Sequence, residues 1–322
     1  MKIAIIGGAG FIGAHLTKAY LDARHDVFVI DNLVCGRREA IDERARFYQM
    51  DIRDGQLRTI LQQERPDLVS HHAAQQRKGL PGEQSLVDAD VHVRGLLNVL
   101  NSCVDAAVKK LIFASGGNSL YGPVEAKELP ITEDTPLCPQ YAHDISKAAG
   151  EWYVRYYTRQ YGLTHTILRY ADVYGAFEGM EEWESTESTA YPHPLNYFMA
   201  MLSQYRRAVI RGTGEEVRDA IFIDDVVQAN LCALKRGDNQ TLHISSGRGY
   251  TLNQLYEVVA DYMESDLTPI YLSGALGGTP AIVLNNRLAR HVLGWSPEVT
   301  RLEEIENTFV NNKHLKFASC GA

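Results

Sequence analysis

The first thirteen residues, MKIAIIGGAGFIG, run as an aliphatic segment that breaks on Gly7, Gly8, Gly10 and Gly13. The spacing satisfies G-x-G-x-x-G from Gly8 and G-x-x-G-x-x-G from Gly7. Lys2 to Ile6 predicts a buried strand and Phe11 to Ala23 a helix, so the glycines form the turn between them. Glycine serves there for a tight turn, for close approach of backbone amides to a pyrophosphate and for helix-to-strand contact, while the helix N-terminus adds partial positive charge. Asp31 closes the next strand, Asp26 to Ile30, 18 residues after Gly13. A carboxylate at that point accepts hydrogen bonds from both hydroxyls of an adenine ribose and repels a 2'-phosphate. The pattern therefore predicts NAD(H) rather than NADP(H), with Arg37 and Arg38 pulling the other way.

Further aliphatic runs at Arg46 to Gln49, Leu68 to Ser70, Lys110 to Ala114 and Thr164 to Arg169 alternate with helical patterns at Leu57 to Glu64, Val87 to Ala107 and Asp144 to Tyr161. That alternation predicts an α/β fold, a Rossmann-like doubly wound parallel sheet, with its ligand crevice at the strands' carboxyl ends. After Tyr170 the rhythm changes. A polar loop with Glu178, Glu181, Glu182, Glu184 and Glu187 leads to helical patterns at Leu195 to Tyr205, Asp225 to Lys235 and Leu252 to Met263, with a strand at Thr241 to Ser245. The expected organisation is a cofactor domain over 1–170, with 219–247 returning to it, and a smaller α/β substrate-binding domain over 171–218 and 248–322.

With 322 residues, 45% of them hydrophobic, the chain can bury its cores without disulfide or metal staples. Its formal charge of -8 argues against nucleic acid, which needs a basic face. No apolar run approaches the roughly 18 residues that span a bilayer, and the N-terminal run carries glycines where a signal peptide would be unbroken, so no membrane association is expected. The five cysteines, Cys35, Cys103, Cys138, Cys232 and Cys320, form no C-x-x-C pair and fit a reducing cytoplasm. His71 and His72 end a strand without a third ligand at metal-binding spacing, and read as core histidines; no metal is expected.

GGAGFIG at Gly7 to Gly13, DNLVCG at Asp31 to Gly36, DIRD at Asp51 to Asp54, HAAQ at His72 to Gln75, LRYADVYG at Leu168 to Gly175, GTGEEVRDAIFIDDV at Gly212 to Val226 and LGW at Leu293 to Trp295 occur in order. In these motifs the chain resembles the extended short-chain dehydrogenase/reductases, specifically their NAD-dependent epimerase/dehydratase branch acting on nucleotide sugars. The resemblance implies that Gly7, Gly10, Phe11, Ile12 and Gly13 cover the pyrophosphate, that Asp31 and Asn32 hold the adenosine ribose, and that Gly36 also contacts the cofactor. It implies Asp51 and Ile52 at the adenine, and Ala73, Ala74, Gln75, His92, Lys147 and Ala171 on the nicotinamide side. Arg218 would grip a nucleotide diphosphate, its planar fork suited to phosphate. The tyrosine-rich Glu151 to Tyr161 stretch, paired with the Val87 to Ala107 helix, would form a homodimer interface as in dimeric relatives.

The family's Tyr-x-x-x-Lys pair is altered here. Four residues before Lys147 stands His143, while Tyr141 lies six before it. Histidine, with an ordinary pKa near 6.5, suits proton transfer at neutral pH better than a phenol, and Lys147 would favour its neutral form. Where the family has a Ser or Thr before paired glycines, FASGGNSLYG has Gly116, so that either Ser115 or Ser119 takes the hydroxyl's role or it is unfilled. The Asp-Glu pair of the family's dehydratases is missing, which disfavours 4,6-dehydration. Asp172 replaces an Asn and would repel a diphosphate if it pointed inward, and ALGGTPA at 275–281 lacks a phosphate-binding arginine. The expectation is an NAD-dependent epimerase of a nucleotide-activated sugar or related anionic small molecule. Two alternatives stay open: a dehydrogenase or lyase acting on an atypical substrate, and a catalytically silent NAD-binding relative.

Overall fold

A computed structural model of the chain describes residues 1–75, 81–175, 194–273 and 281–305. The first half holds strands β1 (Lys2–Ile6), β2 (Asp26–Asp31), β3 (Arg46–Gln49), β4 (Leu68–His71), β5 (Lys110–Gly116) and β6 (Thr164–Tyr170), with helices α1 (Phe11–Asp22), α2 (Gln56–Glu64), α3 (Pro81–Ala89), α4 (Leu96–Asp105) and α5 (Ala142–Tyr161). There follow β7 (Asp172–Tyr174), α6 (Pro194–Ser203), β8 (Val209–Arg211), β9 (Val217–Phe222), α7 (Ile223–Ala233), β10 (Gln240–Ile244), β11 (Gly249–Thr251), α8 (Leu252–Tyr262), β12 (Ile270–Leu272) and α9 (Arg287–Leu293).

Seven strands form one parallel sheet in the order β10-β6-β5-β4-β1-β2-β3. Both faces are covered by helices, so both are apolar: Ile3, Ile5, Val27 and Val29 join one buried cluster while Ala4, Ile6, Phe28 and Ile30 join the other. The strand order reverses at β1, whose Ile6 is in register with Ile30 of β2 and His71 of β4. The loops after these three strands therefore leave the sheet side by side, and the crevice opens between them. None of the helices among the described residues is long and apolar enough to cross a membrane.

The expected helix from Val87 to Ala107 is longer and is interrupted. It starts at Pro81 as α3, widens into a π-type turn over Asp90–Gly95 and resumes as α4. The helix expected at Asp144 begins at Ala142. Of residues 219–247, α7 packs beside α1 and β10 edges the large sheet, whereas β9 pairs with β7 and β11 in a second, three-stranded sheet. β7, β11 and β12 are three residues each, too short to show a period in sequence.

Candidate active site

The glycine turn is built by close backbone approach. Gly7 has φ +83°, and a Cβ there would lie 2.4 Å from the Ala73 nitrogen; a Cβ on Gly13 would lie 2.2 Å from the Gly7 carbonyl oxygen. Only glycine allows α1 to start this near β1 and the loop after β4. Gly10 caps α1 without a side chain over its first turn, where Phe11, Ile12 and Gly13 stand. Gly7, Gly10, Asp31, Asn32, Gly36, Asp51, Ile52, Ala73, Ala74 and Gln75 line one crevice above this turn. Ala171 stands apart from that lining, buried after β6 with its amide bonded to the Ile244 carbonyl at 3.0 Å. Val34, Cys35, Met50 and His72 also line the crevice. The motifs give Val34, Cys35 and Met50 no cofactor role and His72 reads in sequence as a core histidine; their position just past a strand end is the available signal.

Asp31 is buried and already fixes the turn: Oδ2 accepts from the Ala9 amide at 3.0 Å and Oδ1 from the Leu33 amide at 2.8 Å. A carboxylate has about four acceptor sites, so two remain for a ribose. Asn32 donates to Asp51 Oδ2 at 2.9 Å, and Arg53 donates to both Asp51 oxygens at 2.7 Å. The guanidinium holds the Asp51 carboxyl well below its usual range, keeping an acceptor at the adenine end. The Cβ-excluding cradle, the open helix N-terminus and the paired Asp31 and Asp51 carboxylates fit a dinucleotide.

At the other end, α5 lies across the end of β5. Lys147 is buried, donates to the Ala114 carbonyl at 3.1 Å and sits 5.3 Å from the Phe113 ring centre. Burial lowers its pKa to about 8, opposed by the Asp144 carboxylate. His143 lies one turn earlier on α5, which places the pair on one helical face. Tyr141 is outside the helix as its N-cap, extended at φ -122° and 39% exposed. Ser115 is turned away from the crevice: its hydroxyl donates to Glu151 Oε1 at 2.7 Å, inside a buried network in which Arg169 grips the same carboxylate at 2.8 and 2.7 Å. Sequence spacing does not separate Ser115 from Ser119; their hydrogen-bond partners differ. Ser119 is half-buried and donates to Asp144 Oδ1 at 2.8 Å, beside His143 in sequence.

His143 is not alone. Its ring stands edge-on to His92, centroids 4.5 Å apart, and both Nδ1 atoms approach Asp88 Oδ1, at 4.0 Å and 3.9 Å. His92 Nε2 accepts from the Gln75 amide at 2.9 Å, which ties this cluster to the crevice. Burial and the nearby Lys147 cation depress His92 strongly, so it is neutral. Asp88 was missed in sequence, although it lies four residues before His92; the third member comes from another helix. His72 is neutral as well, lowered to about 3 by burial, and bonds Ser70 at 2.9 Å.

On the second sheet, Arg218 of β9 and Asp172 of β7 come together. Arg218 Nε and Asp172 Oδ2 are buried without a hydrogen-bond partner among the described residues. Burial raises the Asp172 carboxyl to about 6, against the pull of the Arg218 cation. The acidic stretch from Glu178 to Glu187 and residues 275–280 lie outside the described residues.

A doubly wound sheet whose glycine-cradled crevice meets a buried lysine on the following long helix defines an NAD-linked class of enzyme. Residues 3–245 match the NAD dependent epimerase/dehydratase family. The chain belongs to that family, with NAD as its cofactor, and it is UDP-glucose 4-epimerase-like along nearly its whole length. It is 32% identical over 317 residues to the UDP-glucose 4-epimerase of Lactobacillus helveticus, covering 95% of this chain and 94% of the relative. The structure of UDP-glucose 4-epimerase from Thermotoga maritima with UDP-glucose superposes with a TM-score of 0.87 at 33% identity, covering 97% of this chain and 99% of that one. The Thermus thermophilus UDP-glucose 4-epimerase complex with NAD gives a TM-score of 0.87 at 29% identity, with 100% of both chains covered.

Proposed function

We propose that the chain interconverts a nucleotide-activated sugar and its C4 epimer, with UDP-glucose and UDP-galactose the first pair to test. The observation that carries this reading is His143 and Lys147 one turn apart on α5, next to the NAD crevice, in a chain 33% identical over 97% of its length to an epimerase holding UDP-glucose. Gly7, Gly10, Phe11, Ile12 and Gly13 would hold the pyrophosphate, Asp31 and Asn32 the ribose, Asp51 and Ile52 the adenine, and Ala73 to Gln75, Ala171 and Lys147 the nicotinamide side. Bound NAD supplies a reversible two-electron acceptor for the sugar carbon.

The protein's own task is proton transfer and orientation. His143 takes the proton from the sugar hydroxyl through a ring nitrogen and returns it after the 4-keto sugar has presented its other face. Lys147, a buried cation below about pH 8, disfavours a second positive charge beside it. Ser119, whose own proton goes to Asp144, is the hydroxyl on hand to accept from a sugar hydroxyl. Arg218 would take the diphosphate with its fork, and Asp172 beside it sets a second polar contact whose charge depends on pH.

In this reading residues 1–170, with α7 and β10, serve the cofactor, and 171–218 with 248–322 serve the sugar. A homodimer is supported by exposed Ile145, Trp152, Tyr153, Tyr156 and Tyr161 on α5 beside exposed Leu86 on α3, an apolar surface larger than a solvated helix carries. The described cysteines Cys35, Cys103, Cys138 and Cys232 are free thiols, which supports a reducing cytoplasm.

The test is incubation with UDP-, GDP- and dTDP-sugars and analysis of the products. Interconversion of one C4 pair is expected. Silence with every sugar, in protein that binds NAD, removes the proposal.

A further inference from the structure

We infer that Asp88 is a positioning residue for His143: its buried carboxylate selects the Nδ1–H tautomer of the imidazole, leaving Nε2 as the proton acceptor, while His92 holds the carboxylate from the other side. The inference rests on the reading of His143 as the acid–base group.

Three separate segments meet here. Asp88 comes from α3, His92 from the π-type turn that packs on α5, and His143 from the first turn of α5. Asp88 is 1% exposed, and its Oδ1 accepts from Gln84 Nε2 at 3.0 Å. The tautomer of His92 follows from its surroundings. Its Nε2 accepts the Gln75 amide proton, so the neutral ring carries its own proton on Nδ1. That N–H is buried, has no hydrogen-bond partner among the described residues and points to Asp88 Oδ1, 3.9 Å away.

His143 Nδ1 faces the same oxygen at 4.0 Å. A lone pair there would confront a buried carboxylate, whereas an N–H would satisfy it. The proton therefore belongs on Nδ1 and the lone pair on Nε2. Both distances are about 1 Å beyond a hydrogen bond, and catalytic hydrogen bonds often tighten only once substrate is bound.

The same three donors, all within 4.8 Å of one another, have the composition of a divalent-metal site. Binding at His92 Nδ1 would drive its proton to Nε2, where the Gln75 amide already donates. The two protons would collide, which favours the proton-holding arrangement over a metal.

The first test reads the resting protein. Two-bond ¹H–¹⁵N correlation of the histidine rings should find His143 protonated on Nδ1 in the NAD-bound protein, with that preference lost in Asp88→Asn. In turnover, Asp88→Asn should lower kcat about 100-fold with KM changed less than about twofold, and Asp88→Glu should recover part of the loss. Among the described residues, the charged and titratable groups around His143 are Asp88 and His92 from the α3 side, Asp144 and Lys147 on its own helix α5, and, beyond His92, His71 of β4. Removing the Asp88 anion should move the acid limb of the kcat profile to lower pH.

A purely structural role would lower NAD binding or thermal stability and leave the tautomer and the limb in place, which overturns the inference. So would a resting His143 protonated on Nε2, or turnover that falls with EDTA and returns with Zn²⁺. Should no sugar turn over, the epimerase reading fails by itself. The tautomer and its response to Asp88→Asn still decide this one.

Discussion

The two ends of the crevice are built by different means. At the adenine and pyrophosphate end the backbone does the work: Gly7 and Gly13 let β1, α1 and the loop after β4 approach to distances no other residue permits. At the nicotinamide end, side chains converge from α3, the π-type turn, α5 and the loop after β5. The first end is constrained by sterics and keeps the family pattern. The second end is carried by side chains, His143 and Lys147 on α5 and Ser119 bonded to Asp144. A site made of backbone contacts fixes the cofactor; a site made of side chains sets the chemistry.

That contrast breaks most visibly at Lys147. Lys147→Met should lower kcat about 1,000-fold while the protein stays folded, because removing a buried cation leaves the sheet intact. If the loss is below tenfold in steady-state assays, the proton-transfer end has been misplaced. His143→Phe comes next, with a loss of about 100-fold and NAD affinity within about threefold of the parent. His143→Tyr sharpens the point, since a phenol beside Asp88 is held protonated. It should stay at least tenfold below the parent and improve when Asp88→Asn is added.

At the other end, Asp31→Ala should weaken NAD binding about tenfold by titration calorimetry and narrow the preference over NADP. The smallest effect is in pH. Lys147, lowered to about 8 by burial, loses its charge above that pH. Turnover should then decline about threefold from about pH 7.5 to 8.5; a flat profile there would show that the cation is not required.

The same division explains how much of the molecule is legible in its sequence. The parallel sheet, α1, α5 and the Asp31 crevice follow from glycine spacing and aliphatic runs, because backbone approach leaves a mark in residue type. Ser115 and Ser119 look equivalent in sequence, since strand direction alone decides that Ser115 turns into the Glu151 and Arg169 network. Asp88 has no visible role there because its partners are 4 and 55 residues away and only the path through α3 and α5 unites them. The π-type turn, which an amphipathic period cannot signal, is what presents His92 to the same Asp88 oxygen that His143 approaches.

The most direct measurement follows the sugar itself. Purified protein with NAD is mixed with UDP-galactose, and the anomeric proton signals are followed by NMR, in parallel with His143→Phe. The account predicts that UDP-glucose appears until the two reach equilibrium, and that the variant is slower by about 100-fold. An unchanged UDP-galactose spectrum in the NAD-bound protein, or a variant as fast as the parent, would contradict it.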